Sequence, residues 1–99
     1  MAVNMTTALG LVKARLNRVA TDTTLDTYFL ARIEAGIEDL TAAGIRLDDS
    51  QRDMLLLVDM VVWDYQNRDR QGGMPEWLRL KRRERWLQQH RQEAAEDDS

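Results

Sequence analysis

Side chains capable of covalent catalysis are few in this sequence. His90 is the only histidine, and cysteine is absent. Of the two serines, Ser50 lies at the start of a predicted helix and Ser99 is the last residue, so no serine–histidine arrangement is indicated. The glycine pair at 72–73 is not followed by the lysine of a phosphate-binding loop. The sequence therefore predicts a protein that is not an enzyme and that holds no cofactor or metal.

Asp59 and Asp64 are the only charged residues in the longest apolar stretch. Five residues apart on one helix, they point about 140° away from each other, so they do not converge on a metal or a substrate. A buried charge without a partner is costly. Each carboxylate is therefore predicted to bind a basic side chain, either of this chain or of a neighbouring subunit.

Residues 79–85 contain five cations, and Trp77 and Trp86 flank them. Cations on one helix could follow the phosphates of a nucleic acid, and tryptophans could stack on its bases. Tryptophan and arginine also dominate the binding energy of protein interfaces. The acidic segment 92–99 directly follows the basic stretch and would screen its charge from a nucleic acid. A protein interface is therefore favoured, with a small nucleic-acid-binding regulator as the alternative and an inhibitor or antitoxin-like module as a third interpretation. The candidate contact residues are Trp77, Arg79, Arg82, Arg83 and Trp86.

Charge is distributed unevenly along the chain, whose net charge is −3. Residues 1–19 carry +3, residues 20–66 carry −7, residues 67–91 carry +5 and residues 92–99 carry −4. Among identical copies this pattern favours contacts between unlike surfaces, because complementary potentials steer and register association. The candidates for such a contact are three acidic residues of one predicted helix and three arginines of a neighbouring copy: Glu34, Glu38 and Asp39, and Arg79, Arg82 and Arg83.

The elements that position these side chains are predicted to be helices. The composition is 43% hydrophobic and 31% charged, with Pro75 as the only proline, which favours an all-α fold. Apolar residues at spacings of three and four predict a first helix, capped by Thr6 or Thr7. Its apolar face comprises Leu9, Val12, Leu16 and Val19.

A second helix is predicted to begin at a capping box formed by Thr23 and Asp26. Its apolar face comprises Phe29, Ile33, Ile37 and Leu40. It is predicted to end in a Schellman motif, with Gly44 in the left-handed conformation and Ile45 as the hydrophobic contact.

The third of about four helices is predicted to be the long buried centre of a small bundle. Residues 54–65 are apolar on nearly every side, which is typical of a helix surrounded by protein, but the stretch is shorter than the ~20 residues of a membrane span. A loop with the glycine pair then leads to a C-terminal helix. The predicted division is a helical core at 1–73, a basic, tryptophan-bearing docking helix at 74–91 and a disordered acidic tail at 92–99.

Taken in order, several of these pieces resemble the head–tail connector or adaptor family of tailed bacteriophages and prophages. Residues 11–16 (LVKARL) resemble the family's opening helix, and residues 25–40 (LDTYFLARIEAGIEDL) resemble its second helix. The ending WDYQNRD at 63–69 resembles that of its central helix, where asparagine and arginine follow a tyrosine. The most specific residues are Tyr65, Asn67 and Arg68, and the resemblance runs along most of the chain.

The resemblance implies a structural virion protein without enzymatic activity or cofactor. Such subunits form a homo-oligomeric ring, commonly a dodecamer, that binds the portal protein on one side and a stopper or tail-completion protein on the other. Genomic DNA passes through the lumen without specific contacts, and no membrane is involved. The protein would be assembled in the host cytoplasm and reside in the virion neck. Terminal segments of related adaptors dock onto the portal, so the resemblance implies that role here for the helix at 77–90 and the tail that follows it.

Overall fold

The computed structural model describes residues 3–68 and 73–97, with side chains as far as Arg91. It contains α1 (Met5–Arg15), α2 (Asp26–Ala42), α3 (Gln51–Gln66) and α4 (Glu76–Asp97). No strand occurs in these ranges, so the prediction of a small all-α bundle is confirmed. The predicted loop at 67–73 falls mostly on residues outside those described. The backbone of α4 continues to Asp97, into the segment for which the sequence predicted disorder.

The third helix is the buried centre of the bundle, as predicted. α1 and α2 pack against it and against each other, and α4 packs against it as well. From Asp53 to Val62, every residue of α3 except Leu55 is buried. Full burial of one large apolar side chain contributes roughly 1.5–3 kcal/mol. The neighbours of α3 that are buried to this degree include Phe29, Ile33, Leu40 and Leu78.

The first helix is shorter than its apolar pattern predicted and has a different cap. Asn4, rather than Thr6 or Thr7, caps it, and the Asn4 side-chain oxygen accepts a hydrogen bond from the amide of Thr7 at 3.0 Å. The helix ends before Asn17, which adopts a left-handed conformation with φ of 58°. Val19, predicted for the apolar face, therefore lies beyond the helix and is 67% exposed.

The capping box predicted for the second helix is wrong. Leu25 is the N-cap residue of α2, and no side chain caps that position. The Asp26 carboxylate lies instead 3.0 Å from the ammonium group of Lys13, which is buried between α1 and α2. A buried cation without a partner costs more free energy than an exposed helix end without a cap. Asp26 therefore pairs with Lys13 and does not cap α2.

The end of the second helix is the predicted Schellman motif. Gly44 has a φ of 88°. The amide of Ile45 donates to the carbonyl of Leu40 at 2.9 Å, and the amide of Gly44 donates to that of Thr41 at 3.0 Å. The Ile45 side chain is buried. This motif turns the chain beneath α4, where the candidate site lies.

Candidate protein-interaction surface

A buried ion pair fixes α4 to α3. The Arg85 guanidinium donates to the Asp53 carboxylate at two points, Nε to Oδ1 at 2.5 Å and Nη2 to Oδ2 at 3.0 Å. The side chains are only 8% and 0% exposed, and Nη2 also donates to the carbonyl of Arg46 at 3.0 Å. The hydrogen bonds to Asp53 raise the pKa of Arg85. Arg85 is thus an anchor within the chain and is not available to a partner.

A second anchor lies about one and two-thirds turns further along α3, at Asp59. Lys81 donates to its Oδ2 at 2.8 Å, and Arg15 of α1 donates to its Oδ1 at 2.5 Å. Burial by itself raises the pKa of Asp59, but these two cations outweigh it and the net shift is downward. Asp64 pairs with Arg32 of α2. The prediction that both carboxylates have basic partners is confirmed, and the partners belong to the same chain.

The later turns of α4 bind the turn between α2 and α3. The Gln89 side chain donates to the carbonyl of Gly44 at 2.7 Å and accepts from the amide of Arg46 at 2.7 Å. The Trp86 ring packs against His90, with centroids 3.8 Å apart, and its Nε1 would lie 3.2 Å from a Cβ atom placed on Gly44. The single histidine therefore packs against a tryptophan at the surface of the turn.

These anchors leave a different set of basic side chains at the surface. Arg79 and Arg83 are exposed and make no ion pair with another described residue. Arg82 is partly buried, with Nη1 4.0 Å from the sulfur of Met74. These three arginines and Trp86, which is 39% exposed, lie around a shallow hollow of about 220 Å³ beside Ala43. The structure thus brings four of the five predicted contact residues of α4 together.

The fifth, Trp77, lies on another side of α4, in an apolar patch. Trp77 is 49% exposed, Leu80 is 50% exposed and Leu55 of α3 is 48% exposed. Leu55 and Lys81 line the same groove between α3 and α4, and the Lys81 ammonium lies 5.6 Å from the centre of the Trp77 ring. We call these three exposed apolar side chains of α3 and α4, Leu55, Trp77 and Leu80, the apolar patch.

The three acidic candidates of α2 do not share one face. Glu34 and Glu38 are one turn apart on the outer side of α2, and both are exposed. Asp39 is about 100° around the helix from Glu38 and lines a separate hollow with Arg32 and Met74. Only Glu34 and Glu38 therefore form a row that a single partner element can contact.

The three residues that carry the family resemblance have structural roles at the end of α3. Tyr65 packs edge-on against Phe29, with ring centroids 5.3 Å apart. The Asn67 side chain donates to the carbonyl of Trp63 at 2.8 Å. Arg68 lies over the Tyr65 ring at 4.4 Å. This cluster ends α3 and holds it against α2.

Asp53 and Arg85 were not singled out by the sequence analysis, although a signal for Asp53 exists. It lies three, four and seven residues before apolar residues of the buried face of α3, and a carboxylate in that position requires a cation. Among the described residues, no group of three His, Asp or Glu side chains is placed to hold a metal ion. None of the helices there is long and apolar enough to span a bilayer.

The site and fold define a small helical protein with two candidate contact regions, one basic and one apolar. Comparison with protein-family models, with curated proteins and with solved structures gave no match.

Proposed function

We propose that this chain is a virion assembly protein, a head-to-tail adaptor that forms a ring between the portal and a stopper or tail protein. The observation that carries the proposal is the apolar patch. About half of each of these side chains, Leu55, Trp77 and Leu80, remains exposed, although the folded domain is small and burial of any of them would stabilise it. Trp77 and Leu80, three residues apart on α4, are neighbours on its surface, and large apolar side chains that stay exposed beside charged residues are typical of a protein interface.

The resemblance to the adaptor family supports the same function. Its most specific residues, Tyr65, Asn67 and Arg68, form the cluster that ends the central helix. Within this chain, the cluster ends α3 and packs it against α2. The ring, its copy number and the passage of DNA through its lumen come from the resemblance alone.

The nucleic-acid-binding alternative is weakened by the anchors of α4. Lys81 and Arg85 are committed to Asp59 and Asp53, so two of the five cations at 79–85 do not face a phosphate backbone. If DNA contacts only Arg79 and Arg83, the exposed cations of that stretch without a described carboxylate partner, the dependence of DNA affinity on log salt has a slope of about −2.

The proposed function is tested by mass photometry of the purified protein, alone and with the portal protein of the same genome. We expect a ring-sized complex that grows with protein concentration or with added portal, visible as a ring beneath the portal in negative stain. A chain that remains monomeric with and without portal contradicts the proposal. Fluorescence anisotropy with duplex DNA at low salt tests the alternative, and a flat titration rejects it.

A further inference from the structure

Two exposed rows of opposite charge have the same spacing. Arg79 and Arg83 are four residues apart on α4, and Glu34 and Glu38 are four residues apart on α2. Residues four apart on an α-helix are neighbours on one face, separated by about 6 Å along the axis. We call these pairs the basic row and the acidic row.

Neither row is neutralised by the described residues of its own chain. Lys81 and Arg85 of α4 have carboxylate partners, and the nearest cation on α2, Arg32, is paired with Asp64. The two rows make no ion pair in the described part of the chain. Within the described residues, these four charges have no ion-pair partner.

The surroundings of each row allow another copy to approach. Ala31 and Ala42 flank the acidic row on the outer side of α2 and are exposed, so little bulk separates the backbone of α2 from a partner. The basic row borders the hollow beside Ala43 and Trp86, which offers apolar contact next to the charges. A helix bearing two carboxylates and small residues is complementary to that hollow.

We infer that the basic row of one copy docks on the acidic row of the next, forming the contact between subunits. This inference rests on the proposed function, which requires self-assembly, and it names the surfaces that meet. Because the two rows are different surfaces, the contact is heterologous and repeats from copy to copy, closing into a ring if the rotation allows. Charge complementarity sets the register of the contact.

The experiment uses two charge-reversed full-length variants, Arg79→Glu with Arg83→Glu and Glu34→Arg with Glu38→Arg. Circular dichroism checks that each is folded. Each variant alone presents like charges at both surfaces, so the concentration for half-assembly should rise about tenfold or more in mass photometry at low salt. Mixed together, the two variants restore opposite charges at every contact, and assembly should return. The control is Asp49→Arg with Glu76→Arg, two exposed acids outside both rows, which changes the net charge as much as the second variant and should assemble as wild type does.

The outcomes separate this inference from the proposed function. Wild-type protein that stays monomeric with and without portal overturns both. Wild-type protein that assembles, while both reversed variants assemble equally well, overturns the inference and leaves the adaptor proposal standing. Loss of assembly in each variant without recovery in the mixture also overturns the pairing of these two rows.

Discussion

At the scale of single residues, the Asp53–Arg85 pair is the most consequential contact of α4. Asp53→Ala leaves the Arg85 guanidinium, whose side chain is 8% exposed, without its carboxylate. Removing one partner of a buried pair costs about 3–5 kcal/mol, a large part of the 5–15 kcal/mol typical of a folded domain. Urea unfolding followed by circular dichroism measures the loss. The exposed neighbour Asp49 is the control, and Asp49→Ala should change the free energy of unfolding by less than about 0.5 kcal/mol. Equal effects of the two substitutions would contradict the anchoring role.

The carboxylates also predict how stability depends on pH. Hydrogen bonds from Ser50 lower the pKa of Asp48 from 3.8 to about 2, and the cations around Asp59 lower its pKa as well. A lowered pKa means that the folded protein binds the proton more weakly than the unfolded chain, so the ionised group stabilises the fold. That contribution is complete above about pH 4 and is lost as the pH falls toward 2. Urea midpoints at a series of pH values should fall through this window. Asp48→Asn, which keeps an acceptor oxygen but does not titrate, should flatten the decline, and an unchanged profile would exclude Asp48 as a source.

The sequence could not identify ion-pair partners that lie far apart along the chain. Burial energetics alone indicated that Asp59 and Asp64 need cations. The partners of Asp59 lie 44 residues before it and 22 residues after it, and no local spacing rule connects positions that far apart. The same limit explains why the sequence did not single out Arg85 from the other arginines of α4.

At the scale of elements, local sequence rules determine where α2 ends, whereas contacts with other helices determine where it begins. Gly44→Ala should lower the free energy of unfolding by about 1–2 kcal/mol, because a residue with a Cβ atom is strained at a positive φ. The new Cβ would also press on Trp86 at 3.2 Å. Gly10→Ala is the matched control in the interior of α1, where a Cβ atom meets nothing within 4 Å, and it should stabilise the protein by up to about 1 kcal/mol. Thermal unfolding should show a lower Tm for Gly44→Ala and a higher Tm for Gly10→Ala. A shift of both Tm values in the same direction would contradict this account of the turn.

The Schellman motif was predictable because all its hydrogen bonds lie within residues 40–45. The start of α2 was not, because Lys13 of another helix takes the Asp26 carboxylate that the capping box needed. The cap of α1 was misassigned among nearby polar residues, since Asn4 and the threonines after it are all capable of capping. Helix identity and order thus follow from apolar spacing, whereas the helix starts depend on contacts made across the bundle.

At the scale of the whole molecule, α4 has one side that packs against the other helices and another that remains exposed. Leu78 is completely buried, and Leu80, two residues later, is 50% exposed in the apolar patch. Leu78→Ala should lower the free energy of unfolding by about 2–5 kcal/mol through loss of burial and formation of a cavity. Leu80→Ala should change it by less than about 1 kcal/mol, because its side chain is already half in water. Chemical unfolding of the two variants measures this difference.

The same two substitutions should rank in the opposite order for association if the apolar patch is the docking surface that we propose. Truncating one apolar side chain near the centre of an interface costs more than about 1 kcal/mol of binding, which weakens affinity by about fivefold or more. Leu80→Ala should therefore weaken binding to the portal protein, measured by biolayer interferometry, while the folded fraction of Leu78→Ala binds as wild type does. Leu78→Ala should thus lose stability and keep its affinity, whereas Leu80→Ala should lose affinity and keep its stability, because the two side chains lie on different faces of α4. If Leu80→Ala binds normally, the apolar patch does not contact the portal, and the exposure of Leu55, Trp77 and Leu80 requires another explanation.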